Sequence, residues 1–457
     1  MRKPRNTSQW VAHFSKLDCA KTLKRLSTNL GSPVLDLESD PAEVARKRLL
    51  DSWDSIYIPG PLEIELMLEM VQISLAHACQ WYPDDESFLG TIYGQKISMR
   101  PAVPICLTGL SGVGKSALRR ALVSMFMPPS PFISVAQDHG DFPWVPIRTA
   151  LIQHAESPSG VLRALAEKDF PNRSLDRAAL DLMYRTGTCF NLLDEMQSLT
   201  LGDTARAMVG KVLLKTLNLG IPMLYICNFS LGHRLKKMHH ELRQAFLGNL
   251  RVLPPSSPTS KEWMGYLKAM GDAAPGVLGF DVGAHSVPLW NYTAGLKRNL
   301  QRLLGECYLA ARKVGNAEIA WSTVENVYES PRYFASREEV EALMAHAATG
   351  KKISRDLMCP FDDDANQSDY HDALRVAQRG RFVNNVGRTA LNAAEGKALE
   401  SFKREADGKP KSVARVEPVA PVGPSKTKKR ASKSLNSSDL IATANALLQA
   451  SGRNKGS

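Results

Sequence analysis

The chain has 457 residues, 44% hydrophobic and 23% charged, which gives room for two or three domains and enough apolar mass for a core. No apolar run approaches the roughly 18 residues of a membrane helix, and no apolar segment follows the basic opening at residues 1–5, so neither a membrane span nor a signal peptide is expected and the reading is cytoplasmic. The net charge of +12 is concentrated at the ends: residues 1–25 carry seven basic side chains against Asp18, and residues 401–457 carry twelve against four acids, a pattern of arms that meet a polyanion, most often nucleic acid.

In chain order, residues 1–55 read as a basic helical extension, with a helix from Pro41 to Trp53 capped by Ser39-Asp40. Residues 61–82 read as an amphipathic helix, with Ile64, Leu68, Val71, Leu75 and Cys79 on one stripe and Glu63 and Glu69 off it. An apolar strand, Val103–Leu107, then runs into Gly109-Leu110-Ser111-Gly112-Val113-Gly114-Lys115-Ser116, a complete match to G-x-x-x-x-G-K-[ST], with a helix over about 115–126 behind it. Glycines there let main-chain amides converge on phosphate oxygens, and the helix start adds its positive dipole end. Lys115 is placed on the β- and γ-phosphates and the Ser116 hydroxyl on Mg²⁺; the binding set extends through Ala117, and ATP with Mg²⁺ is the expected cofactor. A fortuitous glycine-rich turn is the bland alternative, and the flanking strand and helix disfavour it.

A second strand over Trp144–Ile152 and helices near 160–168 and Asp176–Arg185 precede an apolar strand, Phe190–Leu193, that ends in Asp194-Glu195. Asp194 is expected to hold Mg²⁺ through water, and Glu195 to polarise the attacking water as general base. A helix over Asp203–Leu219 leads to a buried strand, Ile221–Cys227, closed by Asn228, which can position the same water. The basic stretch Arg234–Arg243 reads as one helix, offering Arg234, Lys236 and Lys237 to DNA phosphates without base readout. A short strand near Arg251–Leu253 closes the series. Strands alternating with helices mean an α/β fold, a parallel sheet flanked by helices on both faces.

From Ser260 the strand signals stop, and Lys261–Met270, Lys297–Val314, Ser322–Tyr328, 334–350 and, more weakly, 375–405 read as helices. After Lys403 the composition turns to Lys, Ser, Pro, Ala and Val, a disordered basic tail. Within it, Ser438-Asp439 caps a short apolar stripe that could fold on a partner. The expected domains are an extension at 1–55, a core at 56–256, a helical lid at 257–345, a helical linker at 346–402 and the tail at 403–457. No two cysteines form a C-x-x-C pair, Cys106, Cys189 and Cys227 read as buried thiols, and His239-His240-Glu241 lacks metal-site spacing.

The phosphate loop, the Asp-Glu strand end, the strand-terminal Asn and the helical lid together resemble AAA+ ATPases, and so imply an AAA+ P-loop core with a C-terminal helical lid. Thr293-Ala294-Gly295-Leu296-Lys297-Arg298 resembles the sensor-2 element, which implies that Arg298 returns to the γ-phosphate. Finer features are similar to the TnsC/TniB transposition ATPases over about residues 55–335. These are Tyr57-Ile58-Pro59, Leu193-Asp194-Glu195-Met196-Gln197, and Asn291-Tyr292-Thr293-Ala294-Gly295-Leu296 leading into Leu300, Leu303 and Leu304. That resemblance implies a homo-oligomeric ring or filament on double-stranded DNA, linking a TnsD/TniQ-type target selector to the transposase. It adds Tyr57 and Ile58 to the nucleotide set. It also requires an arginine finger from a neighbouring subunit, for which Arg243 fits best and Arg251 second. The alternatives are another DNA-associated AAA+ ATPase, origin-binding or helicase-loading, and a STAND-type nucleotide switch without DNA. A long repeat or sensor domain after the lid is expected of the last and is not read here.

Overall fold

The computed structural model describes residues 8–93, 100–135, 140–152, 157–168, 171, 175–200, 205–361 and 365–390. Seven strands are present among them: β1 Pro104–Thr108, β2 Phe132–Ser134, β3 Asp141–Pro143, β4 Ile147–Leu151, β5 Phe190–Asp194, β6 Met223–Ile226 and β7 Asn249–Val252. Five form one parallel sheet in the order β4-β5-β6-β1-β7, while β2 and β3 pair antiparallel by themselves, a hairpin the sequence does not announce. β1 lies between the last two strands, with Ile105 opposite Leu224 on one side and Asn249 on the other. Every residue of β1, β5 and β6 is buried, as central strands covered on both faces must be. All five strands run the same way, so the loops after β1, β5 and β6 meet at one edge, where open α/β sheets bind ligands.

The N-terminal helices, Gln9–Leu17, Ala20–Ser27 and Ala42–Ser55, pack onto this core rather than extending from it. Trp10 is wholly buried, its ring against Tyr82, Phe88 and Trp144, and Phe14 meets Phe126. The helix Pro61–Trp81 corrects the expected stripe. Its buried face is Leu66, Met67, Met70, Val71, Ser74, His77 and Ala78, so of the predicted set only Val71 is buried and Cys79 is exposed. The rotation follows from Glu63, which turns inward to accept the Gly60 amide (2.5 Å) and the Tyr57 hydroxyl (3.4 Å), satisfying donors at the helix start.

The expected single basic helix over 234–243 is two: Phe229–Lys236, capped by the Asn228 side chain, and His240–Leu247. The lid consists of Lys261–Ala273, Ser286–Thr293, Lys297–Lys313, Trp321–Glu329 and Phe334–Thr349, the second of which had no sequence signal. After the lid, the chain crosses back over the Phe229–Lys236 helix. Lys236 Nζ donates to the Pro360 carbonyl (2.7 Å), and Gly232 leaves room for Pro360 and Phe361. The helix Ala365–Ala390 then packs on Phe334–Thr349. The expected tail at 403–457, with the capped stripe expected after Ser438, lies outside the described residues. Among the described residues no helix is long and apolar enough to cross a membrane.

Candidate nucleotide-binding site

The loop after β1 is shaped for main-chain contacts. Gly112 has φ of 82°, a left-handed conformation, and a Cβ added there would lie 2.8 Å from the Arg298 Cβ. Only glycine meets both demands, and the space it leaves is taken by the lid. The Arg298 amide donates to the Gly112 carbonyl (3.3 Å). What aims the lid helix is the turn before it: Ala294 and Gly295 both adopt positive φ, and a Cβ on Gly295 would strike the Trp290 indole, which is fixed by its hydrogen bond to the Ser256 carbonyl (2.8 Å).

A cavity of about 260 Å³ lies between loop and lid. Ser111, Gly112, Gly114, Lys115, Ser116 and Ala117 line it from the loop, Glu195, Gln197 and Asn228 from the ends of β5 and β6, and Arg298 from the lid. The structure thus brings together the phosphate loop, the second acid, the strand-terminal asparagine and the lid arginine. Gly109 abuts the Leu253 carbonyl, while Leu110 and Val113 turn their side chains into the core; these three contribute main chain to the loop.

Lys115 Nζ donates to the carbonyls of Gly109 and Leu110, both at 2.8 Å. Burial lowers its pKa to about 8, against the pull of nearby Asp194 and Glu195. Asp194 is buried at the end of β5; one carboxylate oxygen accepts the Glu195 amide (2.8 Å), and the other lies 3.0 Å from Arg119 Nε. Burial raises the pKa of Asp194, opposed by that amide and by Arg119. Glu195 has φ of 59°, unusual for a non-glycine residue and of the kind held at functional sites. Burial and then the adjacent Asp194 raise its pKa, toward the range a general base needs, and Gln197 donates to its carboxylate. Asn228 Oδ1 is engaged by the Leu231 amide (3.3 Å) and the Ser230 hydroxyl (2.6 Å), so its NH₂ is the group left to donate into the cavity.

The residues present fit a nucleoside triphosphate with Mg²⁺. The loop is one that a Cβ would fill, and Ser116 brings a hydroxyl to the cavity; Asp194 does not line it, and with one oxygen on the Glu195 amide and the other beside Arg119 its carboxylate fits this ion only through water. Among the described residues no cluster of three acidic, His or Cys side chains forms a self-sufficient metal site.

Two expected members are displaced. Tyr57 and Ile58 do not line the cavity; Tyr57 is turned toward Glu63, and Ile58 packs on Gly265, while Asp54 and Ile56 take the expected place. Sequence reasoning also missed Arg119, Arg120, Tyr266, Lys297 and Gln301. Arg119 stands four residues after Lys115 and so on the same helix face, the one signal that could have found it. Arg120 pairs with Asp54 (3.1 Å), which ties the N-terminal helices to the site.

The remaining candidates lie elsewhere. Arg243 is exposed and lines an open groove with Lys236 and His240, away from this chain's own cavity. Arg251 is held by Glu69 through contacts of 2.9 Å. Arg234 is half-buried, and Lys237 is exposed at the helix end.

No family model and no curated protein matches the sequence. Among solved structures the chain is similar to the Aeropyrum pernix ORC2 protein in its ADPNP-ADP complexes, at 13% identity and TM-score 0.43, over 66% of this chain and 76% of that one. It is similar to the ADP form of the same protein at 13% and 0.42, over 72% and 83%. It is also similar to the Aeropyrum pernix ORC1 protein in complex with DNA at 16% and 0.35, over 73% and 83%. At such scores the likenesses carry no argument; what the structure itself shows is a five-stranded parallel sheet flanked by helices, with a glycine-rich loop after β1 and a helical lid against it.

Proposed function

We propose that this protein is an ATP-dependent, DNA-associated AAA+ ATPase that assembles on duplex DNA and regulates transposition, linking a TnsD/TniQ-type target selector to the transposase. The observation that carries the ATPase part is the lid arginine seated on Gly112 in one cavity with Glu195 and Asn228. The loop amides and Lys115 hold the phosphates. Glu195 accepts a proton from water as it attacks, and the Asn228 NH₂ orients that water. Arg298 senses the third phosphate. Ser116, and Asp194 through water, would hold Mg²⁺, which when bound would neutralise phosphate charge. Arg243, exposed and remote from this chain's cavity, is the candidate to complete a neighbour's site, which makes oligomerisation part of the chemistry.

Support for the DNA part is the charge at the chain ends, and for transposition the lid segment Asn291–Leu296. A second reading, an origin-binding or helicase-loading ATPase, uses the same site. The ORC1 neighbour is a DNA complex and falls on that side, at a likeness too low to weigh in the choice.

The test is to image the protein on non-specific duplex DNA with and without a non-hydrolysable ATP analogue. Analogue-dependent rings or filaments are expected, lost in Lys115→Ala and stabilised in Glu195→Gln. Nucleotide binding with no DNA association at any salt would leave the nucleotide switch without DNA. Recruitment of a transposase to these assemblies separates the first reading from the second.

A further inference from the structure

The lid carries a second cation at the site. Lys297, the first residue of the Lys297–Lys313 helix, is only 9% exposed. Among the described residues no carboxylate pairs with it and no hydrogen bond holds its ammonium. Its Nζ lies instead between two aromatic faces, 5.8 Å from the Tyr57 ring centre and 5.4 Å from that of Tyr266. It lines the same cavity as Lys115 and Ser116, and a Cβ on Gly114 would be 3.5 Å from it.

Each level of structure is unfavourable to a lysine there. Its ammonium faces the cavity with no counter-ion among the described residues, and two ring faces are weak substitutes for one. A cation in the first turn also opposes the helix dipole, and Arg298 follows it directly. Such conflicts between local rule and observed residue are expected where a site serves a ligand rather than the fold. The missing partner is an anion, and the cavity is one built for phosphate.

Position divides the labour. Arg298 sits on Gly112, whereas Lys297 reaches Gly114, the residue that caps the Lys115–Phe126 helix, where loop amides cradle the α- and β-phosphates. Resting on the nucleotide reading above, we infer that Lys297 is a lid-borne ligand for the diphosphate that ADP and ATP share. Lid closure then reads occupancy through Lys297 and the third phosphate through Arg298.

The experiment is a fluorescence titration of the full chain with ADP and with a non-hydrolysable ATP analogue, in the parent protein, Lys297→Met, Lys297→Arg and Arg298→Gln. Lys297→Met should weaken both nucleotides by the same factor, roughly tenfold to a hundredfold for one charge-assisted contact. Lys297→Arg should restore most of it, and Arg298→Gln should weaken the ATP analogue selectively. The ligand-free melting temperature of Lys297→Met should not fall, because no ion pair or hydrogen bond among the described residues is lost with the ammonium. Lys297→Gln serves the same purpose if the methionine variant does not fold. Parent-like affinity for both nucleotides in the variants, or loss confined to the ATP analogue, overturns the inference. A parent protein that binds neither nucleotide sinks the ATPase reading itself, a distinguishable result.

Discussion

Lys115 carries an electrostatic signature that can be measured. Burial lowers its pKa to about 8, and a phosphate on Nζ favours the charged form and draws the pKa back up. Below that value the lysine is already protonated, so nucleotide takes up little proton through it. Above it, binding must supply the proton, and affinity falls as pH rises. Calorimetry near pH 7 and near pH 9, in buffers of different ionisation heat, should show uptake only at the higher pH; equal exchange at both contradicts the assignment. Glu195→Gln should keep nucleotide binding and slow phosphate release by about 10²- to 10⁴-fold, and turnover at the parent rate would remove Glu195 as the base. At this scale the residues gathered at the cavity were most legible where chemistry fixes type and spacing, as in the phosphate loop, Glu195 and Asn228, whereas Arg298 was read from a family resemblance. The sequence was silent on Lys297 and Tyr266, whose roles come from packing between segments far apart in the chain. Tyr57 and Ile58 do not reach the cavity, which Asp54 and Ile56 line instead, and the tyrosine hydroxyl goes to Glu63.

Among the elements, the helix Pro61–Trp81 shows how a correct element can have its faces misread. Periodicity found the helix, but the apolar residues allow two stripes, and the choice was made by Glu63 turning inward. That choice buries His77 among Trp81, Tyr82 and Tyr184, with its Nε2 unpartnered. Burial lowers its pKa to about 3 from an ordinary value of 6.5. The unfolded chain therefore binds the proton first, and stability falls as pH drops below the unfolded value, by about 1.4 kcal/mol per pH unit. From about pH 7 to about pH 5 the loss from this one group is about 2 kcal/mol, and His77→Leu should remove that share of the slope in urea unfolding. An unchanged slope contradicts a neutral buried imidazole. The break between Lys236 and His240 was illegible for a related reason. Both halves have helical composition, and the separation depends on where Asn228 caps the first and where the returning 351–361 segment holds it.

For the whole molecule, parallel alternation and the change to helices after Ser260 were enough to read core and lid, because layered burial forces those patterns. Charge was a poorer guide to position: the basic N-terminal stretch from Gln9 onward is folded down through Trp10 and Phe14 rather than held out as an arm. If DNA is met mainly through phosphates, the logarithm of the affinity should fall linearly with the logarithm of salt concentration, and removing residues 403–457 should make that slope shallower. A salt-independent affinity would place the contacts elsewhere. The reading as a whole depends on a lid and a glycine loop closing around one magnesium-bound triphosphate. Calorimetric titration of a non-hydrolysable ATP analogue into the full chain and into Lys115→Ala, with and without magnesium, tests it directly. Saturable, magnesium-dependent binding that disappears in Lys115→Ala is the predicted result; no binding at any magnesium concentration, or equal binding by the variant, would contradict it.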